Sequence, residues 1–231
     1  MIKKLVRKHL CLWFFIFSGL SVSVVVSSAH AAQLSGITEE WQKLKRAAPQ
    51  IKPEVLRLAL NAFERAKRMG LATKPILTVI DYSLASTKER LWVFDLSREK
   101  LLYQTYVAHG RNSGDLYATH FSNQGRSLSS SLGTFVTGNT YIGSKGYALN
   151  LNGLEPGYND NALSRRVVMH GAWYVSEDFI KHYGRLGRSW GCPSVNPALV
   201  KPIINTIKNG SVLFAYYPDR QWLSHSKYAA V

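Results

Sequence analysis

The sequence predicts a mainly β domain, a sandwich or barrel, with a helical N-terminal segment and short helices flanking one glycine-rich loop. Three observations carry this expectation. From Lys74 onward the chain falls into short runs rich in β-branched and aromatic residues, separated by Gly, Ser, Asn and Asp clusters. Several runs are apolar on both faces, as strands buried in a sandwich or barrel are. Thr38 to Gly70, by contrast, has helical spacing.

The elements follow in order. Lys3, Lys4, Arg7 and Lys8 precede an almost wholly apolar run, Leu10 to Val26, and then small residues at Ala29 and Ala31. This is the pattern of an export signal, so residues 1–31 read as a signal peptide cleaved after Ala31. The apolar run is nearly long enough to be a retained anchor. The flanks favour cleavage, after which no stable membrane insertion is expected. Residues 32–73 read as the helical segment. Its clearest part is Pro53 to Met69: proline suits the first turn, Leu56, Leu60 and Phe63 share a face, and Gly70 supplies a stop.

Strands are expected at Ile76–Ile80, Leu91–Phe94, Leu102–Val107, Phe135–Thr137, Arg166–Met169 and Ser211–Tyr216. Ser122 to Ser131 reads as a long polar loop. One later helix is capped by Ser176 and runs to Tyr183. Another starts at Asn196-Pro197 and runs to Gly210, with Pro202 expected to kink or split it. Residues 74–219 read as the main domain and 220–231 as a C-terminal tail.

Charge and cysteines narrow the function classes. The formal charge is +15, and removing the four basic residues of the signal leaves +11. Such a surface favours anionic partners. Export argues against nucleic acid and moves the weight to anionic wall polymers or membrane surfaces. Nothing in the sequence sets an oligomeric state. Of two cysteines, Cys11 leaves with the signal, so the mature chain holds Cys192 alone. Structural cysteines in an oxidising compartment come in pairs. An unpaired one is either a buried apolar side chain or a reactive thiol.

Two segments carry chemistry: Val168-Met169-His170-Gly171-Ala172 and Gly187-Arg188-Ser189-Trp190-Gly191-Cys192-Pro193-Ser194. A thiol attacks as thiolate and needs a base or cation beside it. His170 can take the proton and return it to a leaving amine. Arg185 and Arg188 would favour the thiolate. Gly191 permits close backbone approach, and the amides of Gly191 and Cys192 are candidate oxyanion donors.

These residues resemble the murein L,D-transpeptidase catalytic-domain family, whose pattern is His-Gly, about twenty residues, then Ser-X-Gly-Cys. Here that pattern is His170-Gly171 and Ser189-Trp190-Gly191-Cys192. The likeness extends over much of Lys74 to Asp219. It takes in Val107-Ala108-His109-Gly110, Phe121-Ser122-Asn123, Ser131-Leu132-Gly133 and the run from His170 to Val195.

The resemblance implies an L,D-transpeptidase-like fold, peptidoglycan stem peptides as partners, and no cofactor or metal. It implies that Cys192 attacks the diaminopimelate carbonyl of a stem tetrapeptide and D-Ala leaves, protonated by His170. An amine then resolves the thioester to give a 3→3 cross-link. Water in place of the amine would make an L,D-carboxypeptidase. A backbone carbonyl, of Gly171 or Ser189, orients the histidine in this family, and the motif favours Ser189. Two positions depart from the pattern: Trp190 stands where most relatives have a second histidine, and Ser194 where many have an arginine. Arg188 is the candidate replacement. Arg188, Trp190, Gly171 and Ser194 are therefore the expected substrate-binding residues.

Rivals are weaker. A sortase-like order of His120, Cys192 and Arg220 lacks the strand-borne cysteine. A zinc site from His109, Asp115, His120 and His170 lacks a paired-ligand spacing. His109 reads as a structural histidine. A non-catalytic wall-binding module remains the alternative of another class.

Overall fold

The computed structural model describes Glu39 and residues 41–229; the expected signal peptide lies outside them. The helical segment is two helices, α1 (residues 41–47) and α2 (Pro53–Arg68). Pro49 and Pro53 separate them, since proline removes an N–H and disfavours helical geometry in the residue before it. Glu54 in the first turn and Arg65, Lys67 and Arg68 in the last complement the α2 dipole. Leu56, Leu60 and Phe63 are buried, and Gly70 ends the helix in a left-handed conformation, φ +71°. The buried face of α2 belongs to the same core as the strands, so the core runs across the boundary expected at residue 74.

Eight strands form one sheet: β1 (Ile76–Asp81), β2 (Leu91–Asp95), β3 (Lys100–Thr105), β4 (Gly133–Gly143), β5 (Gly146–Gly153), β6 (Val168–Gly171), β7 (Ser194–Val195) and β8 (Val212–Tyr216). Their order is β3-β2-β1-β8-β4-β5-β6-β7. Pairs β1–β8 and β6–β7 are parallel, the others antiparallel. β1, β2 and β8 are buried almost throughout, which explains their continuous apolar sequences.

The two edges of this sheet meet. Beyond β3, Ala108 bridges to Ser194 of β7, its N–H donating to the Ser194 carbonyl at 2.9 Å, and Gly110 bridges to Ser189. The sheet thereby closes into a near-barrel, and the seam runs beside Cys192.

Several expectations are corrected. β5 and β7 were not expected, and β4 is far longer than Phe135–Thr137. β5 has asparagines at positions 150 and 152, which weaken the local β signal, and β7 is only two residues fixed by pairing with His170 and Gly171. The strand expected from Arg166 starts at Val168, because Arg166 has φ +55°. Pro202 does not split its helix: α4 runs unbroken from Pro197 to Ile207. The bond it forfeits would reach the carbonyl of exposed Ala198 in the first turn, where water can serve instead. α3 (Glu177–Tyr183) is capped by Ser176, whose Oγ accepts the Phe179 N–H. The expected C-terminal tail carries structure over its described residues, 220–229. It includes α5 (Arg220–His225), and fully buried Trp222 donates to Glu155 Oε2 at 2.7 Å.

Candidate active site

Strand pairing sets the site. β6 carries His170, and its partner β7 places Ser194 opposite, in register. Cys192 lies two residues before Ser194, in the loop that feeds β7. The side chains of Cys192 and His170 line one cavity of about 600 Å³. Its other walls include the tip of the β4–β5 hairpin (Tyr141, Gly143, Ser144, Lys145), together with Arg165, Tyr174, Arg188 and Trp190.

The Cys192 Sγ–H points to the Arg166 carbonyl at 3.7 Å. The left-handed backbone of Arg166 belongs to the turn that brings that carbonyl to the thiol. Burial pushes the thiol above its usual pKa; the Val168 backbone, Arg165 and Lys145 pull it back down. Burial lowers the His170 imidazole, opposed by its bond to Gly171, while Lys145 lowers it further. Burial thus disfavours the charged form of both side chains. The cations acting on Cys192 are Arg165 and Lys145, not Arg185 and Arg188. The latter two are held by Asp115, at 3.3 and 2.8 Å.

His170 Nδ1 lies 2.9 Å from the Gly171 carbonyl. The orienting carbonyl is thus Gly171, not Ser189, whose carbonyl accepts the Arg111 N–H at 2.8 Å. Ser189 acts instead through its hydroxyl. Its Oγ accepts the Gly191 N–H at 3.0 Å and donates to the Cys192 carbonyl at 2.7 Å, bracing the loop around the thiol. With its amide so engaged, Gly191 is not a free oxyanion donor. The Cys192 amide makes no hydrogen bond among the described residues. Gly191 has φ +121°, and a Cβ there would come within 2.7 Å of the Ser129 carbonyl. Only glycine fits.

The expected substrate-binding set divides. Trp190 is 72% exposed, lines the cavity, and lies 5.9 Å from Lys145 Nζ across its mouth. Arg188 lines the cavity but also donates to the Gly114 carbonyl at 3.1 Å. A Cβ at Gly171 would meet Val200 and Pro197 of α4, at 3.1 and 3.3 Å, and Gly171 does not line the cavity. Ser194 is fully buried, with its Oγ 3.1 Å from His170 Nε2, so it touches the base rather than a ligand.

Arg165, Lys145 and Tyr174 were missed, since each comes from a segment outside the two motifs. For Lys145, Gly143-Ser144-Lys145-Gly146 was a legible hairpin turn. Nothing local marks Arg165. Its guanidinium pins the Ser122–Ser131 loop, donating to the carbonyls of Ser122 (2.6 Å) and Ser129 (2.8 Å) and the hydroxyls of Ser131 (2.5 Å) and Ser127 (3.0 Å).

His109 is buried behind the loop. Arg90, itself fully buried, donates to His109 Nδ1 at 2.8 Å, and Nε2 faces the Gly114 carbonyl at 3.3 Å. Burial and the neighbouring Arg90 push its pKa down to about 3. The His109 carbonyl accepts the Ser189 N–H at 2.9 Å. Among the described residues no three His, Cys, Asp or Glu side chains come together as a metal site, and no helix is long and apolar enough to cross a membrane.

A closing sheet with a Cys/His cavity on its seam defines the class. The chain belongs to the L,D-transpeptidase catalytic domain family, which matches residues 47–216. No curated protein matches it. Similar solved structures include an L,D-transpeptidase from Mycobacterium smegmatis (14% identity, TM-score 0.38, covering 62% of this chain and 59% of that one). Another is the helical cell shape determining protein Pgp2 from Campylobacter jejuni (9%, 0.39, 69% and 57%). A third is an L,D-transpeptidase from Stackebrandtia nassauensis (15%, 0.37, 77% and 76%). The chain spans less than two thirds of the length of the first of these relatives, 59%.

Proposed function

We propose that the chain is an exported peptidoglycan L,D-transpeptidase of the periplasm or cell envelope, with Cys192 as nucleophile and His170 as base. The observation that carries this reading is the family match together with the two motif side chains lining one cavity. Burial disfavours the charged form of both groups, so the thiolate needs a nearby base and cations to form. His170 takes the thiol proton, while Arg165, Lys145 and the Val168 backbone stabilise the sulfur charge. Cys192 attacks the diaminopimelate carbonyl of a stem tetrapeptide. The Cys192 amide is the candidate oxyanion donor. His170 returns the proton to the departing D-Ala amine, leaving a thioester. A second stem's amine displaces sulfur and gives a 3→3 cross-link.

The test is incubation with disaccharide-tetrapeptide and mass spectrometry of the products. Cross-linked dimer is expected. Tripeptide with free D-Ala and no dimer would make the chain an L,D-carboxypeptidase. No product from a folded protein, with Cys192 no more reactive than a free cysteine, would leave a non-catalytic wall-binding module.

A further inference from the structure

Tyr174 lies in the run between the His170-Gly171 and Ser189-Cys192 motifs, and the site is built around it. Its hydroxyl lies 3.4 Å from Ser194 Oγ, and Ser194 Oγ lies 3.1 Å from His170 Nε2. The Gly171 carbonyl facing Nδ1 can only accept, so Nδ1 carries the imidazole proton and Nε2 the lone pair. Ser194 must then donate to Nε2. Its one proton is used there, so Tyr174 donates to Ser194. All three bonds run one way, from Tyr174 through Ser194 to His170 and on to Gly171.

The inner link of this line is sealed and the outer end is open. Ser194 is fully buried. Tyr174 lines both the Cys192 cavity and an adjoining cleft of about 290 Å³, walled also by Arg111, Trp173, Phe179 and Arg185. Gly187 seats the ring: a Cβ there would overlap it, and the Gly187 N–H donates to the Tyr174 carbonyl at 3.0 Å. A hydroxyl so placed, with an unbroken donor line to the base, does more than fill space.

We infer that Tyr174 and Ser194 form a proton relay between His170 and the reacting amine, which places the acceptor amine on the Tyr174 side of the site. This rests on the transpeptidase reading above. In the transfer step the amine nitrogen bonds to the thioester carbonyl carbon and the C–S bond breaks, leaving Cys192 as thiolate. The amine's proton goes to Tyr174 Oη, the tyrosine's to Ser194 Oγ, and the serine's to His170 Nε2. The imidazolium then protonates the thiolate, so the net change is one proton moved from amine to sulfur. Run backwards, the same line delivers a proton to the leaving amine in the first half-reaction. Nε2 has one lone pair and serves Cys192 and Ser194 in turn. Tyr174 is the catalytic residue of this pair, and Ser194 acts through its neighbours.

Tyr174→Phe keeps the ring on Gly187 and removes only the hydroxyl; Ser194→Ala removes the middle link. Two rates are measured on the full chain: dimer formation from disaccharide-tetrapeptide, and alkylation of Cys192 by iodoacetamide at pH 7, which involves no amine. The relay predicts that dimer formation falls about a hundredfold in each variant, the scale of general acid–base catalysis. Alkylation by Tyr174→Phe stays within about twofold of wild type, because the thiol and its base are intact. A proton inventory in mixed H₂O and D₂O is curved for wild type and linear for Tyr174→Phe. Dimer formation retained by Tyr174→Phe overturns the relay. A parallel fall in both rates also overturns it, since the tyrosine would then merely hold the imidazole. Wild-type protein that alkylates normally but forms no dimer overturns the transpeptidase reading and the relay together.

Discussion

The chain contains two His-Gly pairs, and the fold gives them opposite surroundings. His109 and His170 are both buried, and each has one ring nitrogen facing a backbone carbonyl. The difference lies at the other nitrogen. His109 Nδ1 receives a buried guanidinium, which cannot give up its proton and holds the imidazole neutral down to about pH 3. His170 Nε2 receives a serine hydroxyl, which rotates and exchanges protons, on the wall of a cavity that also holds a thiol. A dipeptide thus says little about whether a histidine is structural or reactive. The partner of its free nitrogen decides.

The contrast breaks most sharply by deletion. His170→Ala and Cys192→Ala are each expected to lower dimer formation by at least about 10³-fold, and the double variant by little more, because the two act as a unit. Cys192→Ala should melt close to wild type, while His170→Ala, which leaves the buried Ser194 hydroxyl short of an acceptor, should melt lower and is compared as activity per folded protein. A single variant retaining a tenth of wild-type activity would refute the assignment. His109→Ala should do the reverse in kind. It leaves a buried Arg90 short of an acceptor, at a cost of about 2–3 kcal/mol in urea unfolding. Any loss of turnover should follow the loss of folded protein.

Acid sharpens the comparison. The folded pKa of His109 is about 3, below the unfolded value of about 6.5, so the unfolded chain binds the extra proton between those limits. The stability this site contributes is complete above pH 6.5 and is lost as pH falls toward 3. His170, lowered by burial, adds to the same slope. Urea midpoints at pH 7 and pH 5 should differ by more in wild type than in His109→Asn. An equal difference would remove His109 from the acid response. The smallest effect is expected at Arg188, which lines the cavity but is already held by Asp115. Arg188→Ala should raise the donor KM about threefold, in the range of a lost surface ion pair, and an unchanged KM would rule out its part in donor binding.

These sites also show what a sequence reveals. The core strands were legible because β1, β2 and β8 are apolar on both faces, a pattern set by their own burial. The motif, by its fixed spacing, singled out Cys192 and His170, and both line one cavity. Arg165, Lys145 and Tyr174 were hidden because what matters about each is a neighbour that the fold brings from elsewhere in the chain. β7 was hidden for the same reason: two residues have no periodicity, only a partner. Ser189 and Ser194 were singled out as site residues, but the partners of their hydroxyls were not legible. A serine's position in a motif does not say which lone pair or proton its hydroxyl will meet.

Closure of the sheet has a further consequence for the loop that carries Cys192. Pairing of β6 with β7 already brings that loop to His170. The seam adds a second hold from the opposite edge, through Ala108 to Ser194 and Gly110 to Ser189, two contacts that bracket Cys192 in the chain. They join segments far apart in sequence, so their formation costs the entropy of the long loop between them. The cysteine loop is therefore clamped from both edges of the sheet at once.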